Sequence, residues 1–227
     1  MADGNVPMMD KLDELRREVW EANLGIFRAG LVTMHSGNAS GIDPERNRVL
    51  IKPSGMDYEK LTPDDLVLTD IDGNKLEGKW KPSVDLCHHL YIYRHRPEIG
   101  GIIHTHSNYA TSFALLGRPI PAYLTAIADE FGEEIPCAPY MDNTGDAMGE
   151  GILKHMTQAP AILLAQHGAF AFGPTPRAAL KAAVMLEDVA KTCHLALLLG
   201  KPQPLPRPEV HKWYDRYHST YGQTGGG

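Results

Sequence analysis

The stretch GGIIHTHS, Gly100 to Ser107, ends a short apolar run with two histidines two residues apart. Side chains alternate between the faces of a strand, so His104 and His106 point the same way, with about 6.6 Å between their Cα atoms. Such a pair either converges on one small ion or stands half-exposed at the end of a strand. Its surroundings decide what kind of fold holds it. Upstream, VDLCHHLYIYRHR reads as a helix capped by Ser83 and closed by Pro97, and downstream a helix is expected near Tyr109 to Leu115. Helix, strand, helix is the grammar of a layered α/β domain.

The same grammar continues outward. RVLIKP and LVLTDIDGNKLEG are strand-like, the second broken by the hairpin signal Asp72-Gly73-Asn74. Leu12, Leu15, Val19, Ala22 and Ile26 recur at three-and-four spacing, which predicts an amphipathic helix over residues 9–29, stopped at Gly30. AILLAQHGAFAFG reads as a strand or hairpin, and the 26 residues from Thr175 to Gly200 as a long helix with a Thr cap and a Gly stop. Gly/Ser-rich linkers and internal repeats are absent. The expected fold is therefore a single layered α/β domain over 9–223, with helices covering a mixed sheet, and with residues 1–8 and 224–227 as disordered ends.

Composition narrows the function. A chain of 227 residues, 43% hydrophobic, fills one core and is short for two full domains. A net charge of -6 with no long Lys/Arg run argues against nucleic-acid binding, so an anionic ligand needs a local positive site. Cys87, Cys137 and Cys193 form neither a CxxC nor an even disulfide set, which fits a reducing cytoplasm. No apolar stretch is long enough to span a bilayer, and no signal core opens the chain.

A metal site needs a third donor beside His104 and His106. His167, in QHGAFAFG, again follows an apolar strand and sits beside glycine. Three imidazoles leave a zinc ion an open position, the arrangement of a catalytic site. Asp85, in KPSVD, and Asp129, in TAIADEFG, are the carboxylate candidates, and either alone also reads as a cap or surface charge. Lys52, Ser54 and Gly55 in KPSG offer a cation, a hydroxyl and close backbone approach. Asn38 in SGNAS and Ser83 at a helix start complete what looks like a phosphate cradle. None of these turns is a Walker loop or a dinucleotide fingerprint.

Seven motifs, SGNAS, IKPSGMDYEKLTPDDLVL, EGKWKPSVD, GGIIHTHS, IPCAPY, QHGAFAFG and the terminal TYGQ, occur in an order that resembles the class II aldolase and sugar-phosphate epimerase family from about Leu12 to Gln223. The resemblance implies a largely antiparallel central sheet between helical layers, in a homotetramer with active sites between subunits. It implies Zn2+, or another divalent metal such as Mn2+ or Co2+, on His104, His106 and His167, with Asp85 near the metal. It places the phosphate on Asn38, Lys52, Ser54, Gly55 and Ser83, and an acid/base pair on Asp129 and on Tyr221 of a neighbouring subunit. The implied reaction inverts C4 of a pentulose 5-phosphate, L-ribulose 5-phosphate to D-xylulose 5-phosphate, by breaking and remaking C3–C4. Asp85, where the family's aldolases usually carry Glu, favours the epimerase branch. Val84 and Ile127 stand where that branch has serine and histidine. The other readings are a ketose-1-phosphate aldolase releasing dihydroxyacetone phosphate and an aldehyde, and a non-catalytic scaffold resembling adducin's head.

Overall fold

A computed structural model describes residues 11–220; the two expected disordered ends and Tyr221 lie outside the described residues. The chain runs α1 (Lys11–Arg28), β1 (Asn38–Ile42), β2 (Arg48–Ile51), β3 (Val67–Asp70), β4 (Lys75–Glu77), α2 (Leu86–His95), β5 (Gly101–Thr105) and α3 (Asn108–Leu115). It continues through β6 (Ile120–Pro121), α4 (Thr125–Phe131), β7 (Glu134–Ile135), β8 (Cys137–Ala138), α5 (Ala147–His155), β9 (Ala161–Leu164), β10 (Gly168–Gly173), α6 (Pro176–Leu199) and α7 (Arg207–Ser219). The order in the main sheet is β4-β3-β2-β1-β5-β10-β9-β8. Every pairing in it is antiparallel except β8 with β9, so the expected mostly antiparallel sheet is present.

Strand alternation sorts the core into two layers. Ile102, Phe170 and Phe172 pack with Leu86, Leu90 and Ile152 of α2 and α5. Ala39, Ile103, Ala169 and Ala171 face the other way, into α1, α3, α4 and α6. Leu15, Val19, Ala22 and Ile26 are the buried stripe of α1, as their spacing predicts. On the same helix Asn23 is fully buried, and its amide bonds both the N–H and the C=O of Ala39, satisfying backbone groups where β2 has not yet reached β1.

One expectation changes and one alternative is decided. Ser83 does not cap α2: Asp85 stands at the cap position, makes no side-chain cap bond, and turns its carboxylate toward β1. The ambiguous segment 161–173 is a hairpin, with His167 in its turn. Helices α4, α5 and α7 carry no strong sequence signal, being short or, in α7, polar with only Val210 buried.

Gly101 opens the histidine strand directly beneath the first turn of α6. A Cβ there would stand 2.4 Å from the Pro176 nitrogen and 2.5 Å from its Cα, and these backbone atoms move only if the helix moves. Gly101→Ala is therefore expected to destabilise the fold by about 1–3 kcal/mol or more, measured as a lower urea midpoint at unchanged slope; an unchanged midpoint would refute the packing argument.

Candidate active site

The three histidines come from two places on one sheet end. His104 lies in β5 and His106 one residue beyond it, while His167 is carried by the β9–β10 turn. Ring centroids are separated by 4.7 Å (His104–His106), 5.0 Å (His104–His167) and 5.1 Å (His106–His167). That turn is held in an uncommon conformation: Gln166 has φ +58°, and its N–H donates to the Ala114 carbonyl. A Cβ at Gly168 would meet the Thr105 carbonyl at 2.5 Å and the His106 ring at 2.6 Å, so only glycine lets the turn approach this closely. Glu187 of α6 accepts from the N–H groups of Tyr109 and Ala110 at 2.9 Å each, fixing the start of α3 just after His106.

The donor set suits a divalent cation. The Nδ1–H of His104 donates to the Ala169 carbonyl at 3.0 Å, leaving its Nε2 lone pair free. That Nε2 lies 3.1 Å from Nε2 of His167, and one nitrogen from each of the three rings falls within 4.8 Å of the others. Two nitrogens bonded at about 2.0–2.1 Å to one tetrahedral ion stand about 3.3 Å apart. Burial pushes the pKa of all three imidazoles down, to about 3 for His104, so they are neutral ligands at neutral pH.

Asp85, Asn38, Ser83, Lys52, Ser54 and Gly55 line the same cleft of about 210 Å³ as the three histidines. Asn38 Nδ2 donates to Asp85 Oδ2 at 2.6 Å and to Ser83 Oγ at 3.1 Å. Burial raises the Asp85 carboxyl, and the His104 and His89 imidazoles with the Asn38 bond bring it below the ordinary range. Lys52 is 1% exposed, yet no carboxylate among the described residues pairs with it. Its Nζ reaches only the carbonyls of His35 and Pro53, at 3.4 and 3.5 Å, and the face of the buried Tyr58 ring, at 4.5 Å. Burial lowers its pKa to about 8. Val84, 76% exposed, forms the rim where a second hydroxyl was expected.

Two lining residues were given no role from sequence: His35 and Asn143, whose Oδ1 accepts from buried His88 at 2.9 Å. Only proximity in the fold identifies Asn143. Asp129 is not among the residues lining this cleft. It lies on α4, its carboxyl raised by burial and opposed by Arg216 and His218 of α7. His211 pairs with Glu133 at 3.2 Å.

Residues 17–194 match the family described as Class II Aldolase and Adducin N-terminal domain. The chain is 38% identical to the L-ribulose-5-phosphate 4-epimerase UlaF of Salmonella paratyphi B (strain ATCC BAA-1250 / SPB7), over 93% of this chain and the whole of that protein. Among solved structures, an L-fuculose 1-phosphate aldolase superposes with a TM-score of 0.81 at 29% identity, covering 96% of this chain and 98% of its own. YgbL of Escherichia coli gives 0.74 at 26% identity, over 89% and 98%.

A buried ammonium with no carboxylate in ion-pair contact, and only Asp57 acting from farther off, makes anion binding depend on its own charge. The charged form is present below about pH 8 and is lost above it, so affinity for inorganic phosphate should weaken as pH rises through that value. Lys52→Met should bind phosphate weakly and without this pH dependence, read by calorimetry; parent-like affinity in Lys52→Met would contradict the assignment.

Proposed function

The chain belongs to the class II aldolase and adducin N-terminal domain family, and from that premise we propose that it inverts C4 of L-ribulose 5-phosphate to give D-xylulose 5-phosphate. The observation that carries the reading is one small cleft holding three convergent imidazoles, a carboxylate and a buried lysine with no carboxylate partner. A C4–H beside a hydroxyl, with no adjacent carbonyl, is not acidic, so inversion there proceeds through cleavage of C3–C4 and re-addition. His104, His106 and His167 would hold a divalent ion, Zn2+ by preference, and Asp85 lines the same cleft. That ion supplies positive charge to offset the negative charge left on the ketose fragment when C3–C4 breaks.

The protein's own groups do the rest. Lys52, Ser54, Gly55, Ser83 and Asn38 hold the phosphate, which keeps the two-carbon aldehyde fragment in place while it turns. One acid/base takes the proton from the C4 hydroxyl as the bond breaks, and a second returns a proton to that oxygen from the opposite face after rotation. We assign these roles to Asp129 and Tyr221. Asp129 lies outside the cleft lining of its own chain, which favours a homotetramer whose sites are completed across subunit boundaries. Exposed Leu115, Leu116, Leu198 and Leu199 supply apolar surface for such contacts. A cytoplasmic location suits the three free cysteines.

The 0.81 superposition on an aldolase supports a second reading, in which the aldehyde is released and dihydroxyacetone phosphate accumulates from a ketose 1-phosphate. Two substrates separate the readings: D-xylulose 5-phosphate formed from L-ribulose 5-phosphate without free fragments supports the epimerase, and dihydroxyacetone phosphate released from L-fuculose 1-phosphate supports the aldolase. The shared site predicts complementation. Co-expressed His167→Ala and Asp129→Asn chains, each inactive alone, should recover activity, because hybrids contain intact clefts facing intact Asp129. No recovery from verified hybrid tetramers would place Asp129 outside the site.

A further inference from the structure

Behind the cleft, two positions of β1 meet two positions of α2. Asn38 and Ser40 share one face of the strand, and Asp85 and His89 lie one helical turn apart. They form two polar rungs. The outer rung is Asn38 to Asp85, at 2.6 Å. The inner rung is Ser40 Oγ to His89 Nδ1, at 2.7 Å, and the Tyr93 hydroxyl, a further turn along α2, lies 2.8 Å from the same Oγ. Ser40, His89 and Tyr93 are all buried, and nothing in the proposed chemistry uses them.

Ser40 Oγ bridges the two groups of α2, within hydrogen-bond distance of both His89 Nδ1 and the Tyr93 hydroxyl. His89 Nε2 and Asn38 Oδ1 have no hydrogen-bond partner among the described residues. The Phe170 ring packs against both His89, at 5.6 Å, and His104, at 4.5 Å, so the inner rung abuts the histidine cluster.

Apolar side chains would fill this space without desolvating three polar groups. What they lack is direction: an apolar contact lets a helix slide or rotate, whereas a buried hydrogen bond penalises small displacements. We propose that His89 is a positioning residue whose bond to Ser40 sets the height and rotation of α2 on β1, and so holds the Asp85 carboxylate against Asn38 at the cleft wall. The inference rests on the reading that Asp85 works in the ketose-phosphate reaction.

The test is a double-mutant cycle on the metal-loaded protein with L-ribulose 5-phosphate. His89→Phe should lower kcat about 10- to 100-fold with little change in KM. His89→Asn, whose side-chain oxygen stands near the former Nδ1, should recover most of the loss. In an Asp85→Asn background, adding His89→Phe should cost less than about twofold, because the group it positions is already gone. Parent kcat in His89→Phe, or an equal loss in both backgrounds, overturns the proposal. If His89→Phe does not fold, Ser40→Ala removes the same bond and carries the same expectations. Inactivity of the parent overturns the reaction reading alone. The crystal structure of His89→Phe then decides: an Asp85 carboxylate moved off Asn38 supports the inference, and an unchanged contact refutes it.

Discussion

The register of three central strands is the constraint on which the site depends. Antiparallel pairing of β1 with β5 and of β5 with β10 sets Asn38, His104 and Phe170 abreast. A slip of one residue in either pairing would send His104 or Asn38 to the opposite layer, among the alanines under α6. The two layers make that slip expensive, since it would also exchange Ile102 for Ile103 and Phe170 for Ala169. Core packing thus sets the register, and the register places the polar residues.

Around that row, polar burial is arranged so that nearly every charge has a protein group aimed at it. Asp85 is met by Asn38 and Ser83, and Glu130 by Lys181 at 2.8 Å. Lys52 is the departure. Burying an ammonium without an opposing carboxylate costs several kcal/mol, and the Tyr58 ring face and two long carbonyl contacts offset only part of this. Tyr58 is itself held by donating to the carbonyls of Ser36 and Gly37, at 3.0 and 2.8 Å, which ties the lysine's support to the loop before β1. Such a cation is stabilised by an anion arriving from outside, which links folding energetics to ligand choice.

Helix α2 connects the two. Its last carbonyls, with that of Ile99, are gathered by the guanidinium of Arg46, at 2.7 to 3.3 Å, from the β1–β2 turn. Its middle is joined to β1 through Ser40, and the residues that lead into it, Ser83, Val84 and Asp85, form the cleft wall. A helix fixed at its far end and middle can present Asp85 at its near end without a conventional cap, which explains why the carboxylate is free to face Asn38.

The sequence by itself determined what depends on local pattern. The period of α1, the Asp72-Gly73-Asn74 turn, the Thr175 cap and the alternation through Gly100–Ser107 each reflect forces acting within a few residues, and the seven ordered motifs marked the cleft's main groups. Tertiary structure alone decided what depends on distant partners. The Ser83 hydroxyl accepts from Asn38, 45 residues away, as well as from the Asp85 N–H beside it. His89 reads as an ordinary helical histidine until Ser40 is seen against it, and Asn143 reads as a loop residue until His88 is. Asp129 faces α7 within its own chain, because α4 buries its apolar side against the neighbouring helices. Hydrogen-bond competition and layer packing are long-range in the chain, so no window of sequence contains them.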